Sequence, residues 1–203
     1  GASSNGFVGS MAGTFLGLYG NITLQGEGDK RPEGGMGVSV RHRDDLLDVD
    51  WIAAEAQRRA RARLGSTKGP SIKTTMVVDR MSAARLLYML ISPAFGGAVH
   101  QGRSMWKDKL GKPLVSKTLQ LTDDPHIVRG LGSRPFDDEG LSTRKRDIIR
   151  DGALQTYFLD TYYARKLETE PTSGGLTNLV VTPGKGDLDS ILRDVGKGVY
   201  VTS

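Results

Sequence analysis

The sequence predicts an α+β fold, mostly antiparallel β-sheet with a few packed helices. Three observations point there. Gly20-Asn21 and Asp151-Gly152 carry hairpin-turn chemistry between apolar runs. Strand-like runs follow one another through turns, with few helix-period stretches between them, unlike the alternation of a doubly wound sheet. The 203 residues, 37% hydrophobic, are enough chain to bury a core.

Taken in order, Phe15–Tyr19 and Ile22–Leu24 flank Gly20-Asn21 and are expected to pair across it. Gly26–Gly35 is charged and glycine-rich and reads as a loose turn, with Met36–Arg41 as the next strand. Asp50 is the expected N-cap of a helix running through Leu64 and stopped by Gly65. In that helix Ile52, Ala56, Ala60 and Leu64 form an apolar stripe, with arginines on the other face. A sub-boundary is placed near residues 66–71, at the Gly69-Pro70 break, and Ile72–Val78 is a strand candidate beyond it. Met81–Ile91 is apolar almost all round and reads as a buried helix, halted at Ser92-Pro93 because proline disfavours helical geometry in the preceding residue. Gly96–Gly111 mixes glycines with Trp106 and a short amphipathic piece. Leu119–Leu121 reads as a strand end, and Ile148-Ile149 with Leu154–Leu159 as a hairpin about Asp151-Gly152. A helical turn at Thr161–Leu167, a strand at Asn178–Thr182, a helix at Asp187–Val195 and a strand at Val199–Thr202 close the chain, with no internal repeat.

Composition excludes several kinds of chemistry. With no cysteine there is no disulfide scaffold, thiolate zinc site, iron–sulfur cluster or cysteine nucleophile. No apolar run approaches the ~18 residues of a membrane-spanning helix. The opening GASSNGFVGS lacks the basic and apolar regions of a signal peptide. It also lacks an initiating Met, so the chain reads as a piece of something longer, expected in the cytoplasm.

The formal net charge is +5. Basic residues cluster at Arg58, Arg59, Arg61 and Arg63, near Lys68, and again at Arg144, Lys145, Arg146 and Arg150. Such runs could form a phosphate-binding stripe. Only 6% of residues are aromatic and none interleave with these runs, so a solvated helix face and a solvated strand edge are the better reading, and nucleic acid is not the expected partner.

The three histidines, His42, His100 and His126, lie far apart in sequence, and none is followed by a glutamate. A helical zinc pair needs two histidines on neighbouring turns of one face with a carboxylate beside them, and this pattern is missing. Asp137-Asp138-Glu139, inside Arg134-Pro135-Phe136-Asp137-Asp138-Glu139-Gly140, is the densest polar constellation. It could share a proton or hold a cation. The favoured reading is a turn whose acids satisfy backbone donors or pair with Arg134 and Arg144, because neighbours on an extended chain point opposite ways. No Gly-x-Ser-x-Gly elbow occurs, and Gly9–Gly20 does not match a phosphate-binding loop.

Four segments carry a resemblance. They are Ser3-Ser4-Asn5-Gly6-Phe7; Asp123-Asp124-Pro125-His126-Ile127-Val128-Arg129-Gly130-Leu131-Gly132-Ser133-Arg134-Pro135-Phe136-Asp137-Asp138-Glu139-Gly140; Arg150 through Leu159, continuing through Tyr163-Ala164-Arg165-Lys166-Leu167; and Asn178-Leu179-Val180-Val181-Thr182-Pro183-Gly184. In this order and spacing the chain resembles the TldD/PmbA family, also known as modulator of DNA gyrase. The likeness runs over essentially the whole chain and is strongest from about Asp123 to Lys166.

The resemblance implies the following. TldD-type members are zinc metallopeptidases with a His-Glu-x-x-x-His helix. PmbA members, also called TldE, share the fold without that motif and pair with a TldD subunit around a chamber that takes unfolded peptides. The likeness sets Leu87–Ser92 where the zinc helix would lie, with Leu87, Tyr88 and Ser92 in place of His, Glu and His. A third, C-terminal ligand has no cysteine to supply it. A PmbA-like, non-catalytic subunit in a bacterial heterodimer is therefore expected, with no catalytic, cofactor-binding or metal-binding residue assigned and no cofactor. Its expected partners are a TldD-type metallopeptidase subunit and unfolded peptides, and an oligomer is expected. Residues 1–203 would be the middle to C-terminal-domain portion of a longer protein, with open strand edges. The stretch between Leu167 and Asn178 is short for such a protein, keeping only Ser173-Gly174-Gly175 of its loop. The alternatives are a DNA- or gyrase-interacting regulator and a hydrolase built on Asp137–Glu139.

Overall fold

The computed structural model describes residues 1–4 and 6–202, which fall into two units. One consists of Met11–Ser71 with the return segment Val128–Leu131. The other gathers Gly1–Ser10, Ile72–Ile127 and the chain from Gly132 onward.

The first unit is a hairpin under a helix. β1 (Leu16–Thr23) and β2 (Glu33–Val40) pair antiparallel without a break, from Leu16 opposite Val40 to Thr23 opposite Glu33. Helix α1 (Val49–Ala62) lies on one face and buries Ile52, Ala56 and Ala60. Met36, Ile52 and Ala56 form the core, with Leu18, Ile22 and Val38 packed around them. Gly34 makes the close packing of helix and strand possible. A Cβ there would stand 2.2 Å from Ala60 N and 2.4 Å from Ala56 O.

Three expectations change in this unit. Gly20-Asn21 is not a turn, since both residues lie mid-strand opposite Met36 and Gly35. The hairpin turns instead between Thr23 and Glu33, and residues 33–35 of the expected loose turn belong to β2. Glycine in this hairpin marks close approach rather than chain reversal, for the Tyr19 hydroxyl lies 2.4 Å from where a Cβ of Gly35 would be. The cap of α1 is Asp48, whose carboxylate accepts from Trp51 N at 3.0 Å, and Asp50 sits in the first turn. Leu64 lies beyond the helix and is exposed, which shortens the apolar stripe to three residues.

The second unit runs β3 (Thr75–Val78), α2 (Arg80–Ile91), α3 (Gly96–His100), β4 (Leu121–Asp123), β5 (Arg146–Arg150), β6 (Ala153–Leu154), α4 (Thr161–Lys166), β7 (Leu179–Val181), α5 (Leu188–Val195) and β8 (Gly198–Val201). An antiparallel sheet in the order β6-β5-β4-β7 carries the core, where Ile91, Leu121, Ile148, Ile149, Leu154 and Phe158 are almost wholly buried. The Asp151-Gly152 turn forms as expected, with both residues at positive φ, 50° and 75°. β3 and β8 make a separate parallel pair.

Boundaries shift in three places. β3 is shorter than Ile72–Val78, and β4 begins where Leu119–Leu121 was expected to end. Of Leu154–Leu159 only Leu154 joins the sheet, and Phe158 instead bridges to Phe95. Helix α2 differs most from expectation. Ile91 is its one buried residue, Leu87 and Leu90 pack on the core, and the opposite side leaves Met89 60% and Tyr88 53% exposed. Apolar composition all round the helix did not bring burial all round it, because no described element covers that side.

Candidate functional site

The densest polar network gathers the ends of β4 and β5 and the segment 170–178. Asp123, at the end of β4, is 1% exposed. Arg146, at the start of β5, holds it through Nε at 3.1 Å and Nη2 at 3.0 Å, and Thr177 donates to the other carboxylate oxygen from N at 2.8 Å and Oγ1 at 2.5 Å. The same guanidinium donates to the carbonyls of Thr172, Ser173 (3.2 Å) and Gly175 (3.0 Å), and its carbon lies 4.4 Å from the Phe158 ring centroid. Burial lowers the Arg146 pKa and the Asp123 charge opposes that, which is the balance expected of a buried cation with its counterion beside it. Arg146 is therefore not on a solvated strand edge, unlike its neighbours. Arg144 is exposed, Lys145 pairs with Asp124 at 3.0 Å, and Arg150 pairs with Asp147.

Asn178 ties the adjoining segment. Its amide nitrogen donates to Asp124 O at 2.7 Å and Ser133 Oγ at 2.8 Å, and its oxygen accepts from Gly132 N at 2.8 Å. Gly132 must be glycine, since a Cβ would stand 2.2 Å from Thr177 O.

The acids of 137–139 are divided among three tasks. Asp137 is buried and accepts from Glu139 N at 3.0 Å and Leu141 N at 2.9 Å. Asp138 is exposed and reaches Arg134 at 3.3 Å. Glu139 accepts from Thr161 N at 2.8 Å and Thr161 Oγ1 at 2.5 Å, at the N-terminus of α4. This fastens the turn to the helix and brings no two carboxylates together for proton sharing. Arg144 takes no part. Phe7 closes the turn from outside, its ring edge-on to Phe136 at 5.0 Å, while Asn5 of the same segment lies outside the described residues.

The histidines are engaged separately. His42 accepts from Asp44 N at 3.2 Å, His100 stands 6.1 Å from the Tyr163 ring, and His126 is exposed beside Asp124. In the first basic run, Arg58 and Arg59 both grip Glu55, at 2.7 and 2.8 Å. Their hydrogen bonds, Arg58 foremost, hold the Glu55 carboxyl down at about 2. At Leu87, Tyr88 and the C-cap Ser92 of α2, Leu87 is half-buried, the Tyr88 ring lies 6.1 Å from Phe95, and Ser92 Oγ donates to Met89 O at 2.9 Å. Zinc takes imidazole, thiolate or carboxylate, and this set offers none, so these residues do not fit the metal. Among the described residues, no three His, Asp or Glu side chains are grouped to hold one.

Segments 141–146 and 170–177 enclose a cleft of about 420 Å³. Arg144, Glu170 and Ser173 are among its lining.

Residues 71–203 match the family described as PmbA/TldA metallopeptidase C-terminal domain, and residues 2–64 match its central domain. The chain belongs to the PmbA/TldD metallopeptidase family. It is similar to the metalloprotease PmbA of Escherichia coli O157:H7, at 34% identity over 80% of this chain and 36% of that protein. It is also similar to a crystal structure of a candidate modulator of DNA gyrase from Bacteroides thetaiotaomicron VPI-5482, at 41% identity and TM-score 0.93, covering 98% of this chain and 46% of that one. TldE from Thermococcus kodakarensis, at 22% identity and TM-score 0.68, covers 93% of this chain and 45% of that one, and shares the fold. The chain thus spans less than half the length of these relatives. Within this PmbA/TldD chain, the four segments that carried the resemblance each contribute to the Asp123–Arg146 pair, the acidic turn or the Asn178 ties. Among the described residues, no helix is long and apolar enough to cross a membrane.

The Asp123–Arg146 pair escaped sequence reasoning. Nothing local separates Arg146 from Arg144, and its partners come from residues 123 and 172–175.

Proposed function

We propose that this chain is the middle to C-terminal-domain portion of a non-catalytic, PmbA/TldE-like subunit. Its partner would be a TldD-type zinc metallopeptidase subunit in a cytoplasmic heterodimer that degrades unfolded peptides. Family membership supplies the metallopeptidase context. The observation that carries the non-catalytic reading is the chemistry of α2, where Leu87, Tyr88 and Ser92 stand at the positions the family likeness assigns to zinc ligands and base. In such a complex this subunit would contribute walls and main-chain pairing surface, and the partner would supply the metal.

The DNA-binding alternative draws little support from the charges. Arg58 and Arg59 share one carboxylate, Arg146 is buried against Asp123, and Lys145 and Arg150 are paired. The decisive experiment measures casein hydrolysis by this chain with zinc, with and without a TldD-type subunit carrying His-Glu-x-x-x-His. Activity is expected only with the partner. Zinc-dependent hydrolysis by this chain alone, above a mock preparation, would overturn the proposal.

A further inference from the structure

The cleft beside Arg146 has the features of a binding site that the network around it does not use. Its volume, about 420 Å³, lies in the ~300–1,000 Å³ range of ligand clefts. Arg146 itself has no donor to offer a ligand, because Nε, Nη1 and Nη2 are all committed to Asp123 and loop carbonyls. Arg144 differs. It is exposed at the lining, and no carboxylate pairs with it among the described residues. Glu170, in the same lining, likewise has no partner there.

Ser173 adds an independent observation. It lies in the lining, it is nine-tenths buried, and its hydroxyl has no hydrogen-bond partner among the described residues. A buried hydroxyl left without a partner is costly, and a ligand group that pairs with it recovers that cost. Its backbone also sits at φ 69°, a region that a residue with a side chain occupies only when its surroundings enforce it. Here the enforcement comes from Arg146, which donates to the carbonyls on both sides and to that of Ser173 itself. A strained, unpaired hydroxyl held beside a free guanidinium and a free carboxylate is the arrangement of a recognition site.

The chemistry selects the ligand. A polyanion would gain Arg144 but meet Glu170. A peptide suits both, since its carboxylate can take the Arg144 fork and its amide N–H groups can donate to Glu170. Pro125, Leu141 and Pro171 supply apolar lining for the carbon framework between. We propose that this cleft binds a carboxylate-bearing segment of an unfolded peptide, with Arg144 as the anion contact, Glu170 as an amide acceptor and Ser173 completing the floor. The proposal rests on the peptide-handling reading above and assigns it a location on this chain.

The test uses the chain alone. A fluorescein-labelled, unstructured peptide with a free C-terminus and one internal Glu is titrated by anisotropy. Amide chemical shifts of the 15N-labelled chain are followed in parallel. Binding is expected to move the Thr172, Ser173 and Gly175 amides. Arg144→Ala is expected to weaken binding about tenfold, and Arg150→Ala, at a paired surface arginine outside the cleft, to leave it unchanged. Amidating the C-terminus or replacing the internal Glu by Gln identifies which carboxylate is held, and the matching discrimination should vanish in Arg144→Ala. Absence of binding, shifts confined to other residues, or full affinity in Arg144→Ala would each overturn the proposal. These outcomes are separable from those of the subunit reading. Activity with a TldD-type partner alongside full peptide affinity in Arg144→Ala removes the cleft alone, whereas binding here without partner-dependent activity removes the complex alone.

Discussion

Replacing Arg146 by Ala tests the central structural claim. The substitution leaves Asp123, 1% exposed, as a buried carboxylate with only Thr177 to hold it. Removing one partner of a buried ion pair costs about 3–5 kcal/mol. The carbonyls of Thr172, Ser173 and Gly175 also lose a charged donor, each such bond being worth about 1.5–3 kcal/mol where water cannot replace it. Water can reach the cleft side, so most of that second loss is recovered. The expected net destabilisation is about 4 kcal/mol, a large part of the ~5–15 kcal/mol that holds a domain together. Urea unfolding followed by fluorescence would measure it. In a Trp51→Phe background the remaining tryptophan is Trp106, which is buried in the same unit as Arg146. The double variant Asp123→Asn with Arg146→Met removes both charges and should lose clearly less than the summed single effects, because no unpaired charge remains. A loss below about 1 kcal/mol for Arg146→Ala, or strict additivity in the cycle, would refute the strut.

Other outcomes follow from the same packing. Gly34→Ala should destabilise the hairpin–helix unit by about 1–3 kcal/mol, read by Trp51 fluorescence, because the new methyl meets the α1 backbone rather than a side chain that can swing away. Gly140→Ala combines a positive φ of 83° with a methyl 2.7 Å from the Phe7 ring. It should lose about 2 kcal/mol in thermal or urea unfolding, and less in a Phe7→Ala background where the clash is absent. Glu55 has a folded pKa of about 2, below its unfolded value, so its contribution is complete above the ordinary carboxylate range and lost as pH falls toward 2. With Arg58, the foremost partner, 64% exposed to screening water, the amount is about 1 kcal/mol, and Glu55→Gln should flatten the pH dependence of stability in that window.

What the sequence disclosed was local. The Asp151-Gly152 reversal, the helix capped by Asp187 and the one capped by Asp160 depend on neighbouring residues, and all three could be read directly. The Gly20-Asn21 reading failed because a strand crowded by helix and tyrosine uses the same residue type as a turn. The apolar α2 misled because composition reports what a helix could bury, not what lies beside it. Arg146 was hidden among other basic residues, since the carboxylate and carbonyls that distinguish it lie more than twenty residues away in either direction. The acidic turn was legible for the opposite reason, since its backbone acceptors and the Arg134 pair follow from chain geometry at that point, while Arg144 stays outside it.

The guanidinium of Arg146 meets residues 172–175 only through main-chain oxygens, which any amino acid can present. Insertions, deletions or new side chains between Leu167 and Pro171 leave those three contacts untouched. New side chains there can therefore change the chemistry of the cleft rim while its seat on Arg146 stays the same, much as interchangeable tools fit one handle.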